Sequence, residues 1–229
     1  MKKWYEVKAS AEAGEDAVID IYDGIGMFGV TAKDFNRDMK AVLAKDAPVA
    51  VHINSPGGDV FDGLAIYNML KEHQGQVTVH IDGLAASIAT VVAMAGDEII
   101  IPENAMMMIH NPMSGAFGDA QKLSQVIDVL DKIKASMVGI YSARTGRSAE
   151  DVRADMDAET WLTGAEAVAL GYADATSAPV RLAASYNIRA YQHIPDSVCS
   201  RFCVRKNDEG RAIISALSSF NSQIKSIQF

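Results

Sequence analysis

Short apolar runs rich in β-branched residues alternate along the chain with longer segments at helical period, and this alternation narrows the fold more than any other feature. Residues 18–22, 48–54 (with Val49, Val51 and Ile53), 77–82, 98–101 and 105–110 read as strands. After the first of them comes a Gly-rich stretch over 24–29. Thr31 and Asp34 then stand at capping-box spacing before Phe35, Met39, Val42 and Leu43, which recur at helical period. A second helix follows residues 55–59, with Leu64, Tyr67 and Leu70 or Ile66, Met69 and Leu70 turned inward, and residues 85–95 read as a third. Residues 119–144 form a long amphipathic segment through Leu123, Val126, Ile127, Leu130, Ile133, Met137, Ile140 and Tyr141. Ser148 with Asp151 opens a further short helix. Residues 161–174 read as a last helix, stopped at Gly171 and leading into a strand. Parallel strands need crossovers of this length, so the expectation is an α/β fold with a mainly parallel sheet. Such sheets carry their sites just beyond the carboxyl ends of the strands.

Composition narrows the function classes. With 229 residues, 49% hydrophobic and 22% charged, the chain can build one substantial core without covalent staples. A formal net charge of −8 argues against nucleic acid or an anionic membrane as the main partner. The only two cysteines, Cys199 and Cys203, make neither a disulfide framework nor a metal site, and as free thiols they suit a reducing compartment. The first residues are basic but are not followed by an apolar stretch, so they do not read as a signal peptide. The alanine-rich run 83–96 is shorter than the roughly 20 apolar residues of a membrane span and reads as a buried helix. A cytoplasmic protein without a membrane segment is expected. Beyond about residue 178 the periodicity fades, residues 201–211 are charged and the end is Ser/Gln-rich. The division expected is a catalytic domain over 1–177 and a partly mobile appendage over 178–229.

Four places could carry chemistry. Asn54-Ser55-Pro56-Gly57-Gly58-Asp59 lies between a strand and a helix, where adjacent glycines let backbone amides face a ligand and hold an oxyanion. A bare Pro-Gly-Gly is more often simply a tight turn. In Gly83-Leu84-Ala85-Ala86-Ser87-Ile88-Ala89 a serine sits in the first turns of a helix directly after a strand, among small neighbours that leave room for substrate. The default for such a serine is a bond back to its own helix, and the motif is not the glycine-serine-glycine elbow of the α/β hydrolases. His110 closes a strand before Asn111-Pro112, the position of a general base. Of the other four histidines, His52 and His80 lie inside strands, His73 at a helix end and His193 in the tail. Asp155, Asp157 and Glu159 crowd together before Trp161, and one of them could orient the imidazole while the others remain a solvated helix face.

Taken in order from about residue 50 to 174, these pieces resemble the Clp protease proteolytic subunit family. The 54–58 turn looks like its oxyanion loop, the run from Gly83 to Ser87 like its approach to the nucleophile, and Met108-Ile109-His110-Asn111-Pro112 like its histidine motif, where the family usually has Gln at the place of Asn111. Trp161-Leu162-Thr163, Glu166-Ala167 and residues 171–174 resemble its closing helix and strand. The resemblance implies a Clp protease/crotonase-like fold of repeated ββα units, with residues 119–144 as a protruding handle helix. It implies a serine endopeptidase with Ser87 as nucleophile, His110 as base, and Gly58 and Ile88 as oxyanion donors, using no metal or other cofactor. The family's aspartate falls on Glu159, a departure that keeps Asp157 as the alternate. The implied partners are peptide or protein substrates and copies of the chain in a ring or double ring, with an ATPase unfoldase or capsid proteins as further candidates. The N-terminal extension, the 24–29 loop and the tail resemble peptidases of phage and prophage head maturation, which implies processing of capsid or scaffold protein. Two other readings are a ring-forming assembly protein with a broken triad, and a crotonase-like acyl-CoA enzyme.

Overall fold

The computed structural model describes residues 3–10, 16–44, 46–179, 188 and 191–195. The chain divides into two units, Met1–Ala183 and Ala184–Phe229, and among the described residues the sheet and helices lie in the first. Cys199, Cys203 and most of the expected appendage fall outside the described residues.

Two strands form the middle of the sheet, β3 (Val49–Ser55) and β4 (Val77–Ala86). They pair in parallel from Val49↔Val77 to Ile53↔Ile81. On one side, β2 (Ala17–Ile21) runs parallel to β3, and β1 (Tyr5–Lys8) closes that edge antiparallel to β2. On the other side, β5 (Glu98–Pro102) pairs parallel with β4, and β8 (Ala175–Ser177) parallel with β5. The far end of β4 takes a different neighbour. There β6 (Met106–Ile109) pairs in parallel through Leu84↔Met106 and Ala86↔Met108, and β7 (Thr160–Thr163) runs antiparallel to β6. The result is the mixed α/β architecture with a mostly parallel sheet that the alternation of elements implies.

Helix α1 (Ala32–Val42) starts where expected, with the Asp34 carboxylate accepting from the Thr31 N–H at 3.1 Å. It buries Phe35 and Met39, whereas α2 (Val60–Lys71) buries Ile66 and Leu70, the second of its two possible inward faces. Helix α3 (Ile88–Ala93) is buried along its whole length, which explains its apolar composition. Ile19, Ile21, Val51, Ile53, Val79 and Ile81 are fully buried on the sheet, each side chain contributing about 1.5–3 kcal/mol. Among the described residues no helix is long and apolar enough to cross a membrane.

The structure departs from the sequence pattern in four places. The strand β1 carries no strong alternation and owes its place to tertiary packing: Trp4 stacks on Phe35 at 6.1 Å, and Tyr5 meets the same ring edge-on at 5.1 Å. Residues 85 and 86 extend β4 rather than starting a helix, because pairing with β6 outweighs alanine's helical preference. Residues 161–163 belong to a strand, and the last helix, α6 (Gly164–Ala169), begins only after Thr163 caps it. In α4 (Ala120–Thr145) burial is confined to Met137, Val138 and Tyr141, while Leu123, Ile127 and Val129 of the first half are exposed. The short α5 (Ala149–Asp157) is capped by Ser148 as its spacing predicts, the hydroxyl accepting from the Asp151 N–H at 3.1 Å.

Candidate active site

The site forms where β4 changes partner from β5 to β6. Past Ile53↔Ile81 the β3–β4 register shifts, and pairing resumes at Ser55↔Ala85. The buried Asn54 fills the irregularity, its carboxamide oxygen accepting the Leu84 N–H at 3.2 Å. The strand then continues along β6 to Ala86↔Met108, and the Ser87 N–H donates to the Met108 carbonyl at 2.9 Å. That register brings Ser87 and His110 to adjoining carboxyl ends of parallel strands. Ser87 Oγ and His110 Nε2 are 2.7 Å apart, hydrogen-bond distance for a hydroxyl and an imidazole. Ser87 stands at the joint between β4 and α3, with φ 56° and ψ −131°, rather than inside a helical turn, and its side chain makes no cap bond to α3. Positive φ is costly for a residue with a Cβ, and such strain clusters where function requires it.

The neighbour on the other flank of β6 supplies an acid. The antiparallel pairing ends at Ile109↔Thr160, so one step further Glu159 faces His110. Burial pushes the His110 imidazole below its ordinary pKa, and the nearby Glu159 charge partly opposes this. Glu159 itself turns with φ 50°, and the Trp161 indole N–H approaches its carboxylate at 3.4 Å. The other two acids of the cluster are engaged elsewhere. Asp157 accepts from Asn111 Nδ2 at 2.7 Å and from Lys134 Nζ at 2.5 Å, and Asp155 pairs with Arg147. Of the three carboxylates, Glu159 is the one whose charge acts on the imidazole.

The 54–59 turn backs onto the serine. A Cβ placed on Gly57, whose φ is +98°, would lie 2.7 Å from Ser87 Cβ and 3.3 Å from its hydroxyl. The next residue is held by a contact that no local pattern foretold. Ile25 bridges Gly58 in parallel fashion, its N–H donating to the Gly57 carbonyl at 2.7 Å and its carbonyl accepting from the Asp59 N–H at 2.9 Å. In such a bridge the opposing residue directs its own amide away from the partner, so the Gly58 N–H points away from Ile25. The buried Ser55 adds a second tie: its hydroxyl donates to the Asp23 carbonyl at 2.6 Å and accepts from the Gly57 N–H at 3.2 Å. The Gly-rich 24–29 stretch is therefore a brace for this turn. Its glycines mark a loop in the sequence, but only long-range pairing reveals which turn it braces.

A cleft of about 670 Å³ opens from Gly58 and Pro112, lined by Phe61, Met113, Val126 and Leu130 among others. The groove begins at Gly58, next to the Gly57 that backs onto Ser87, and its mixed, largely apolar lining suits an apolar group.

The Clp protease family matches residues 18–178. The chain belongs to the Clp protease family. It is 35% identical over 129 residues to an ATP-dependent Clp protease proteolytic subunit of Bacteroides fragilis, covering 55% of this chain and 62% of that protein. The like-named protein of Bacteroides thetaiotaomicron is 34% identical, with 55% and 58% covered, and that of Leuconostoc citreum 33% identical, with 55% and 65% covered. The chain thus spans less than two thirds of the length of these relatives. Within this Clp protease family member, Ser87 and His110 are in contact, the Glu159 charge acts on His110, Gly58 lines the cleft and Ile88 follows Ser87 at the start of α3, whereas His52 and His80 sit elsewhere. Those two rings stack at 4.8 Å on the half-exposed face of the sheet, with His52 Nδ1 3.0 Å from Asp82. Their place inside strands leaves them either core residues or satisfied by neighbours, and neighbours account for both.

Proposed function

We propose that the chain is a serine endopeptidase that cleaves peptide bonds through an acyl-enzyme, with Ser87 as nucleophile, His110 as base and Glu159 as the acid that orients it. The single observation that carries this reading is the 2.7 Å contact between Ser87 Oγ and His110 Nε2. The Ser87 oxygen forms a bond to the scissile carbonyl carbon while its proton passes to His110 Nε2. The Gly58 and Ile88 amides receive the carbonyl oxygen as it becomes an oxyanion. The C–N bond then breaks and the amine leaves with the proton from His110. Water repeats the sequence on the ester, with His110 again taking and returning the proton, and Ser87 is released. The depressed basicity of His110 keeps it neutral, and so able to accept a proton, at neutral pH.

A peptidase with a cleft open to any passing chain would be indiscriminate, and assembly limits access. The exposed apolar positions Leu123, Ile127 and Val129 on the unpacked half of α4 support association with further copies of the chain in a ring or double ring. The substrate is a peptide or protein, delivered by an ATPase unfoldase or present in an assembling capsid. The resemblance of the chain's ends to head-maturation peptidases favours capsid or scaffold protein. Residues 1–177 are the peptidase domain, and residues 178–229 are an appendage to it.

The test is labelling of the purified chain with a fluorophosphonate probe alongside hydrolysis of a short fluorogenic peptide. Wild type should label and cleave, and Ser87→Ala should do neither. Labelling that persists in Ser87→Ala would remove Ser87 from the reaction.

A further inference from the structure

We propose that Thr90 and Tyr141 are positioning residues that aim the Ile88 amide at the oxyanion. The proposal rests on the reading of Ser87 as nucleophile. Thr90 is fully buried, and both its polar donors converge on one atom: its N–H reaches the Ser87 carbonyl at 3.0 Å and its hydroxyl reaches the same oxygen at 2.5 Å. The phenol of Tyr141, also fully buried, lies 2.6 Å from the Thr90 hydroxyl. A threonine hydroxyl has one proton. With that proton committed to the Ser87 carbonyl, Tyr141 is the donor in the second bond, and the chain of bonds runs in one direction, from α4 through α3 to the nucleophile's backbone.

The bland account is that a helical threonine often bonds back to a carbonyl one turn earlier, satisfying a polar group and nothing more. Two facts carry the inference past it. The carbonyl in question belongs to the N-cap of α3 and not to a helical residue: Ser87 has φ 56° and ψ −131°, outside the helical region, and a strained residue persists only where its surroundings over-determine it. The Ser87 carbonyl and the Ile88 N–H also belong to one planar trans peptide and point in opposite directions, so fixing the oxygen fixes the aim of the hydrogen. The β6 side already holds the Ser87 N–H through Met108. Thr90 holds the other end, and rotation of the Ser87–Ile88 peptide is thereby resisted at the donor that acyl transfer uses.

The experiment compares Thr90→Val, Thr90→Ser and Tyr141→Phe in the full chain, with Ser87→Ala as the control for the site itself. Peptide hydrolysis gives kcat and KM, and a peptidyl trifluoromethyl ketone, which forms a tetrahedral adduct with an active serine, reports oxyanion stabilisation. Loss of a whole oxyanion donor costs about 10²–10³ in kcat, so a misaimed one should cost roughly 10-fold. Thr90→Val should lose that factor in kcat and a similar factor in ketone affinity, with KM within about twofold. Thr90→Ser, which keeps the hydroxyl, should restore all three. Tyr141→Phe should lose about threefold in kcat, a loss that largely disappears when the change is made in Thr90→Val, because both act through one bond. Should Thr90→Val not fold, the Tyr141→Phe split between kcat and KM decides the matter. Thr90→Val or Tyr141→Phe with wild-type kcat, a loss confined to KM, or equal losses in Thr90→Val and Thr90→Ser would each overturn the proposal. If Ser87→Ala remains active, the site reading fails first, and the two failures are distinguished.

Discussion

Replacing Gly58 by alanine should damage stability and rate together. Gly58 has φ +147°, a conformation that costs a residue with a Cβ about 1–3 kcal/mol. The new methyl carbon would stand 2.1 Å from the Ile25 carbonyl oxygen and 2.7 Å from the Ile25 nitrogen, both backbone atoms that no rotamer change can move. Relief requires the 24–29 loop to part from the turn, which breaks the Ile25-to-Gly57 and Asp59-to-Ile25 hydrogen bonds, worth about 0.5–1.5 kcal/mol each. These terms share a sign and sum to about 2–6 kcal/mol. For a domain of this size that is a fall in Tm of roughly 4–24 °C. The Gly58 amide would move with the turn, so kcat should fall by about 10²–10³ when measured well below the variant's Tm. Thermal unfolding followed by circular dichroism, with peptide hydrolysis at low temperature, measures both. A Gly58→Ala protein that unfolds within about 1 °C of wild type and cleaves at the wild-type rate would refute the argument that the Ile25 brace sets the turn.

Two further outcomes follow from the charges. Glu159→Gln should lower kcat by about 10²–10⁴ through loss of the group that orients the imidazole, and because the Glu159 charge raises the His110 pKa, the acid limb of the pH–rate profile should move to still lower pH. Asp157→Asn, which only frees Asn111 and Lys134, should stay within about threefold of wild type, and the reverse ranking of these two variants would give Asp157 the role proposed for Glu159. On the sheet face, the Asp82 hydrogen bond holds the His52 pKa above its ordinary value. That contribution is complete below about pH 6.5, the unfolded value, and is lost as pH rises through the folded one. Asp82→Asn should therefore be destabilised on the order of 1 kcal/mol more at pH 5.5 than at pH 8.5 in urea unfolding, beside a pH-independent loss from the Tyr22 bond. An equal deficit at both pH values would contradict the raised His52 pKa.

The parts of this molecule legible in its sequence are those governed by periodicity and local chemistry. Alternating Val49, Val51 and Ile53 marked β3, and Thr31 with Asp34 marked the start of α1, because strand pleat and helix capping act over a few residues. His110 could be placed at a strand end for the same reason, whereas Ser87 read as part of the first turns of a helix and instead follows the end of β4. The ledge that joins them was not legible. Whether Ala85 and Ala86 continue a strand depends on Met107 and Met108 arriving beside them, and no local propensity encodes that arrival. The same holds for Trp161 to Thr163, which look like the approach to a helix until β6 pairs with them. Ile25 is the clearest case: its apolar side chain in a Gly-rich loop suggests burial, but its function lies in its backbone, which is sequence-blind. Thr90 and Tyr141, 51 residues apart, have no relation until α3 and α4 pack.

The distribution of backbone strain carries one more step. Among the described residues only Phe28, Ser87 and Glu159 have positive φ without being glycine, and two of these three flank His110. They enter from opposite sides, Ser87 from the end of β4 and Glu159 from the start of β7, with β6 between them. Each strained residue adjoins a paired strand: Ser87 donates to Met108 of β6, and Glu159 immediately precedes Thr160, the partner of Ile109. His110 thus directly follows the middle strand of a three-strand ledge, and both its neighbours reach it by backbone conformations that relax if the ledge loosens. Pairing at Met107 and Met108, which are fully buried, is accordingly what keeps the hydroxyl, the imidazole and the carboxylate in line. The proposed triad is a property of the pairing register, and a shift of β6 by one residue would turn His110 to the opposite face while leaving every motif in the sequence intact.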